Sequence, residues 1–180
     1  MTDAQPAAQP ARRGLFGGAF DALLAPFRGR DAAPGNVQRE KHRQYRLLFV
    51  DVGNAARSQV AQAYATIYGF HAESAGTFPG TRVAPEAVAV MADQGIDIAH
   101  FRPKPLDVTR LEAFDRVITM GDSLPKPWRS QQNVLEWNLL DPQGLPLEAY
   151  RQMRDDCEKR IRKLAKELRV EKPELVVLNA

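Results

Sequence analysis

The pattern of hydrophobic and polar residues changes at Arg46. From there on, short apolar runs alternate with helical apolar spacing, which is typical of an α/β domain with a parallel sheet. The domain is expected to cover residues 46–170. Four runs predict its strands: residues 47–50, 71–76, 116–120 and 133–139.

Three helical patterns separate or follow these strands. The first begins at Ser58, a suitable N-cap, and ends at Gly69. The second has Pro85 near its first position and stops at Gly95. Its inward positions are expected to be Val88, Met91 and Ala92.

The last helix is predicted to run from Leu147 to Leu168. Apolar residues recur on one of its faces, which identifies Cys157 most simply as a small core residue. The members of this face are Met153, Cys157, Ile161, Leu164 and Leu168.

Residues 1–45 have a different character and are expected to be a disordered basic leader. The stretches 1–11 and 28–45 are polar or rich in Ala and Pro. Between them, residues 14–27 carry apolar side chains at amphipathic helical spacing. Three interpretations of this segment are open. It docks on its own domain or stays disordered, it docks weakly on a membrane surface or a partner protein, or it is part of an export signal. Residues 171–180 form a tail.

Composition and charge exclude several classes of protein. The 180 residues are 44% hydrophobic, which excludes disorder of the whole chain, and no apolar run approaches the roughly 18 residues of a membrane span. Residues 1–45 hold 7 Lys and Arg against 4 Asp and Glu, whereas residues 46–180 hold 18 of each. The domain therefore has no net positive charge that would indicate binding of nucleic acid.

Cys157 is the only cysteine of the chain. A disulfide framework, a multi-cysteine zinc site and a two-cysteine redox pair are excluded, and a reducing, cytoplasmic compartment is expected. The histidines have no metal-ligand spacing. We therefore expect neither a metal nor a cofactor.

The turn after the first strand carries the candidate chemistry. In an open α/β sheet, anions bind where the carboxyl end of a strand leads into a helix N-terminus. Successive backbone N–H groups can form a concave nest there, Asn54 can brace the turn, and Arg57 can supply a two-pronged guanidinium. The alternative is a tight turn with an incidental arginine. The predicted phosphate-binding residues are Val52, Gly53, Asn54, Ala55, Ala56, Arg57 and Ser58.

These residues resemble the low-molecular-weight protein tyrosine phosphatases and their arsenate-reductase relatives. The resemblance covers residues 46 to about 168 in the right order. It implies a single doubly wound domain with a four-stranded parallel sheet and helices on both faces. The matching segments are residues 48–59, 74–77, 85–88, 95–98 and 117–120, and Trp137 followed by Asp141-Pro142.

The resemblance implies a thiolate mechanism. A cysteine at the first loop position attacks phosphorus or arsenic, the arginine six residues later clamps the oxygens, and an Asp-Pro loop supplies the general acid. By position, Arg57 corresponds to the clamp, Asn54 and Ser58 to loop supports, and Asp141 to the acid. The nucleophile's position is occupied by Asp51.

Other cysteines of the family are missing as well. Ala56 occupies the position of a second loop cysteine, and Gly121 and Asp122 stand where arsenate reductases have resolving cysteines. A cysteine relay therefore cannot operate. Gln143 and Gly144 replace the aromatic pair that walls the phosphotyrosine pocket, so specificity for phosphotyrosine is not expected.

Asp51 allows three interpretations. In the leading one, its carboxylate fills the nest, faces Arg57 with a lowered pKa, and repels an incoming dianion, so that phosphatase and arsenate reductase activities are absent or very weak. In the second, the chain is an active phosphomonoesterase that uses Asp51, through an acyl phosphate, or water, with Asp141 as acid. In the third, the aspartate was introduced deliberately in place of the nucleophile of an active enzyme.

A regulatory phosphate- or partner-binding module is the alternative from a different functional class. The expected partner of the loop is a phosphate-like oxyanion, a phosphorylated protein or a phosphorylated small molecule.

Overall fold

Four parallel strands form the sheet of the domain. The computed structural model describes residues 44–121, 123–124 and 126–170. The sheet has the order β2-β1-β3-β4, and all three pairings are parallel. The predicted doubly wound α/β fold is therefore confirmed. The strands are β1 (Arg46–Asp51), β2 (His71–Gly76), β3 (Arg116–Met120) and β4 (Val134–Trp137).

The strand order reverses direction at β1. The chain leaves β1 for β2 on one side and later reaches β3 on the other side. The crevice beyond the carboxyl ends of β1 and β3 is thus the topological switch point, where doubly wound sheets bind ligands. The loop predicted to bind anions begins there, at Asp51.

Helices cover both faces of the sheet. The helix α1 (Arg57–Ile67) packs with α2 (Pro85–Ala92) and α4 (Leu147–Glu167) around the larger core cluster. A 3-10 helix (Val108–Ala113) and the region of the short helix α3 (Lys126–Arg129) cover the other face. Side chains alternate along β1 between the two cores: Leu47 and Phe49 enter the first, and Leu48 and Val50 the second.

Two local predictions were wrong. Ala92 is exposed rather than inward because α2 ends there, and its inward positions are Ala87, Val90 and Met91. Ser58 is not an N-cap, because α1 begins one residue earlier, after Ala56. The N–H group of Ser58 is instead satisfied by the Asp51 carboxylate.

The predicted leader and tail lie outside the described residues, apart from residues 44 and 45, so the amphipathic segment 14–27 stays a prediction. Within the described ranges, no helix is both long and apolar enough to cross a membrane.

Candidate phosphate-binding site

The loop between β1 and α1 has its carbonyl groups bound on one side. The carbonyl oxygens of residues 51, 52, 53 and 55 accept hydrogen bonds from the N–H groups of Thr77, Phe78, Gly80 and Ala84, at 2.8–3.1 Å. In the described part of the chain, the N–H groups of residues 53, 55, 56 and 57 donate to no other group. The loop therefore retains unpaired backbone donors, as an anion-binding nest requires.

Asn54 holds the loop in shape from behind. Its φ of 46° is a left-handed conformation, which Asn tolerates better than most residues. Its Nδ2 donates to Ser58 Oγ at 2.9 Å, and its Oδ1 accepts from the N–H of Lys104 at 2.7 Å and from Gln59 Nε2 at 3.1 Å. Asn54 is fully buried, so these bonds are shielded from water.

Gly76, the last residue of β2, allows the loop to approach the sheet closely. A Cβ atom at this position would lie 2.7 Å from the carbonyl oxygen of Val52 and 2.9 Å from the nitrogen of Asn54. Both neighbours are backbone atoms, which cannot move aside as a flexible side chain can. Glycine at the end of β2 is therefore part of how the loop is positioned.

Asp51 places its carboxylate inside the loop. Its Oδ1 accepts the N–H of Asn54 at 2.5 Å, and its Oδ2 accepts the N–H of Ser58 at 3.0 Å. The side chain is almost completely buried. Burial raises the pKa of Asp51 above its ordinary value of 3.8, because the hydrogen bonds from Ser58 and Asn54 and the charge of Arg57 only partly oppose desolvation.

The prediction that Asp51 has a lowered pKa was therefore wrong, because desolvation outweighs its hydrogen bonds. Arg57 was expected to contact Asp51, but its guanidinium instead contacts the loop that carries Asp141. Arg57 Nη2 lies 2.7 Å from Asp141 Oδ2. The residues predicted as clamp and general acid are thus brought together, and they contact each other across the cleft.

A cleft of about 540 Å³ opens above the loop. Asn54 and Ser58, predicted to bind phosphate, are fully buried behind the loop and do not line this cleft. The other predicted phosphate-binding residues do. The complete lining is Asp51, Val52, Gly53, Ala55, Ala56, Arg57, Phe78, Gly80, Ala84, Glu86, Asp141, Gln143, Gly144 and Tyr150.

Five residues of the cleft were not predicted from the sequence: Phe78, Gly80, Ala84, Glu86 and Tyr150. Phe78 directly follows a segment that matched the family, and Glu86 lies within another, so both could have been proposed by extending those matches. Tyr150 lies on the buried side of α4 and has no sequence signal that separates it from a core residue.

Cys157 lies near the loop, but its thiol cannot act as a nucleophile there. The thiol is fully buried in α4, with Sγ 3.9 Å from the carbonyl oxygen of Arg57, and burial raises its pKa far above the ordinary range. The prediction that Cys157 is a core residue is confirmed. Over the described residues, no group of three or more His, Cys, Asp and Glu side chains is arranged to hold a metal ion.

Comparison with known proteins gives consistent matches. Residues 46–174 match the family described as low molecular weight phosphotyrosine protein phosphatase. The glutaredoxin arsenate reductase of Synechocystis is 32% identical, over 66% of this chain and 95% of its own length. The protein-arginine-phosphatase of Geobacillus stearothermophilus is 31% identical, over 71% and 98%. A solved arsenate reductase in the phosphate binding state has a TM-score of 0.63 and 31% identity, over 69% and 99%.

Proposed function

Because the chain belongs to the low molecular weight phosphotyrosine protein phosphatase family, we propose that it keeps the phosphate-binding loop but has little or none of the family's phosphatase or arsenate reductase activity. One observation carries this proposal. The buried Asp51 carboxylate, bonded to the N–H groups of Asn54 and Ser58, occupies the position where the resemblance places the attacking thiolate.

Charge explains why this replacement opposes the reaction. An ionised Asp51 would repel a phosphate dianion; two unit charges about 4 Å apart at an effective dielectric constant of about 20 cost about 4 kcal/mol. Protonation of Asp51 would remove the repulsion, but it would also remove the nucleophile. Neither protonation state reproduces a thiolate that can attack phosphorus or arsenic.

No other thiol can take over this role. Cys157 is the only cysteine of the chain, and it is inaccessible and held in its protonated form by burial. The proposal places the protein in the cytoplasm, where a single free thiol stays reduced.

The loop is proposed to bind a phosphate-like oxyanion, free or on a protein or small molecule. Support comes from the unpaired N–H groups of residues 53, 55, 56 and 57, and from the similarity to a reductase solved in the phosphate binding state. Arg57 is bonded to Asp141 in the structure. An oxyanion that uses the guanidinium must therefore draw it away from Asp141.

Hydrolysis of p-nitrophenyl phosphate tests the proposal. The unaltered chain and Asp51→Ser, which lacks a thiol but has nearly the size of cysteine, are expected to be inactive. Asp51→Cys is expected to gain turnover, and adding Asp141→Asn to it should lower that turnover if Asp141 protonates the leaving group. Robust turnover by the unaltered chain that Asp51→Ala abolishes would refute the proposal and favour an aspartyl nucleophile.

A further inference from the structure

One carbonyl group of the loop is bound by a side chain from α1. The carbonyl oxygens of residues 51, 52, 53 and 55 accept N–H groups from the segment 77–84, whereas that of Asn54 accepts Gln59 Nε2 at 2.9 Å. The same Nε2 lies 3.1 Å from Asn54 Oδ1. The amide of Gln59 therefore completes the set of bound carbonyl groups from residue 51 to residue 55.

This bond sets the direction of the peptide group between Asn54 and Ala55. A trans peptide is planar, so its C=O and its N–H point in opposite directions. Gln59 is fully buried and does not line the cleft, whereas Ala55 does. The Asn54 carbonyl thus points into the protein. The N–H of Ala55, which donates to no described group, points to the side of the cleft.

The side-chain amide of Gln59 is only half satisfied. Its Nε2 makes both of its hydrogen bonds to Asn54, but its Oε1 is buried and accepts none in the described part of the chain. An unpaired buried acceptor destabilises the folded state. An apolar side chain of similar length would fill the same space without that oxygen, so packing alone does not account for the amide.

We propose that Gln59 is a positioning residue for oxyanion binding, because its bond to the carbonyl oxygen of Asn54 holds the N–H of Ala55 toward the cleft. Without Gln59 Nε2, the buried carbonyl would lack a partner, and turning the peptide toward the cleft would let water reach it. The turned peptide would offer an anion an oxygen in place of an N–H donor. The inference rests on the proposed function, since it concerns how the same loop binds an oxyanion.

The rest of the loop keeps its bonds when Gln59 is replaced. Asn54 Oδ1 still accepts the N–H of Lys104, and Asn54 Nδ2 still donates to Ser58 Oγ. The expected change is therefore confined to one peptide group.

Gln59→Met tests the inference in the full chain, because methionine has nearly the length of glutamine and no N–H donor. Residual dipolar couplings measured by NMR are expected to show a changed direction of the Ala55 N–H bond. The urea midpoint should stay within about 0.5 M of that of the unaltered chain, since the variant loses the unpaired Oε1 together with the bonds of Nε2. An unchanged direction of the Ala55 N–H would overturn the inference, whatever the stability.

Inorganic phosphate is the probe for binding. Titrations followed by amide chemical shifts are expected to show about tenfold weaker binding by Gln59→Met, because hydrogen bonds to charged groups are among the stronger ones. The response of the Ala55 amide to phosphate should be largely lost. Equal phosphate affinities of the unaltered chain and Gln59→Met would overturn the inference.

Gln62→Met is the matched control. It makes the same replacement three residues later on α1, where Gln62 Oε1 accepts the hydroxyl of Ser74 at 2.6 Å. This variant is expected to leave the Ala55 N–H direction and the phosphate affinity unchanged. Equal effects of the two replacements would overturn the inference. If Gln59→Met does not fold, Gln59→Leu, which also lacks an N–H donor, takes its place in both measurements.

Failure of the proposed function would be recognised separately. The phosphate titrations are repeated with Asp51→Ser, in which no carboxylate repels the anion. Absence of phosphate binding by both the unaltered chain and Asp51→Ser would refute the proposed oxyanion binding. The dipolar couplings of Ala55 need no phosphate, so they would still confirm or overturn the role of Gln59.

Discussion

Replacing Gly76 with alanine tests how the loop is held against the sheet. The new Cβ atom would lie 2.7 Å from the carbonyl oxygen of Val52 and 2.9 Å from the nitrogen of Asn54, well inside contact distance. The Val52 oxygen accepts a hydrogen bond from Phe78, and the Asn54 nitrogen donates to Asp51. Relief of the clash therefore has to move a loop that is bonded on both sides.

The change in the free energy of unfolding of Gly76→Ala follows from two opposing effects. Overpacking a closely packed site costs about 1–3 kcal/mol. Replacing glycine with alanine in a compatible backbone conformation stabilises by about 0.4–1 kcal/mol through the unfolded state. Gly76 is outside the left-handed region, so its backbone tolerates alanine and only the clash opposes it. We expect Gly76→Ala to be destabilised by about 1–2 kcal/mol net.

Gly80→Ala is the matched control near the same loop. Its added Cβ would find its nearest neighbour, the carbonyl oxygen of Gly53, at an ordinary 3.6 Å, and its backbone is also outside the left-handed region. Denaturant unfolding should show this variant at least as stable as the unaltered chain, and about 1–3 kcal/mol more stable than Gly76→Ala. Equal stability of the two variants would refute the close-approach argument.

Three further predictions concern buried groups. The pKa of Asp51 in the folded state is raised above 3.8, so the unfolded state releases this proton at lower pH. The free energy of unfolding of the unaltered chain, relative to that of Asp51→Asn, should therefore fall as pH rises from about 3.8 through the folded-state pKa. An opposite slope in urea unfolding would contradict this. Asn54→Ala should cost about 2–4 kcal/mol in the same assay, since three buried side-chain hydrogen bonds are lost; a cost below about 1 kcal/mol would contradict the bracing role. The Cys157 thiol should not react with a disulfide reagent in the folded chain and should react fully after denaturation; fast labelling of the native protein would contradict its burial.

Much of the fold was predictable because its signals are local. The apolar run before Asp51 and the small residues after it predicted β1 and the loop, and Pro85 marked the start of α2. The ends of the helices and strands were predicted less accurately than the elements themselves, because hydrogen bonds and not periodicity set where an element ends. The last strand is shorter than predicted, and α1 begins at Arg57 without a side-chain cap, while the carboxylate of Asp51, seven residues before Ser58, accepts the N–H of Ser58.

The contacts of the site were less predictable. Arg57 and Asp141 are 84 residues apart, and their pairing depends on how the Asp-Pro loop crosses the cleft. The pKa of Asp51 depends on a balance between desolvation and hydrogen bonds that only burial in three dimensions sets. Glu86 and Tyr150 come from α2 and α4, and no local pattern indicates that they share a cleft.

The class of fold, the position of the loop and the absence of a thiol from it follow from the local chain, because periodicity, turn chemistry and residue identity are local properties. The consequences of the missing thiol depend on how distant segments pack. Tertiary structure buries the Asp51 carboxylate against backbone donors, pairs Arg57 with Asp141, and places Glu86 and Tyr150 in the same cleft. Charges and hydrogen bonds act through space, so their balance is set only when distant segments pack together.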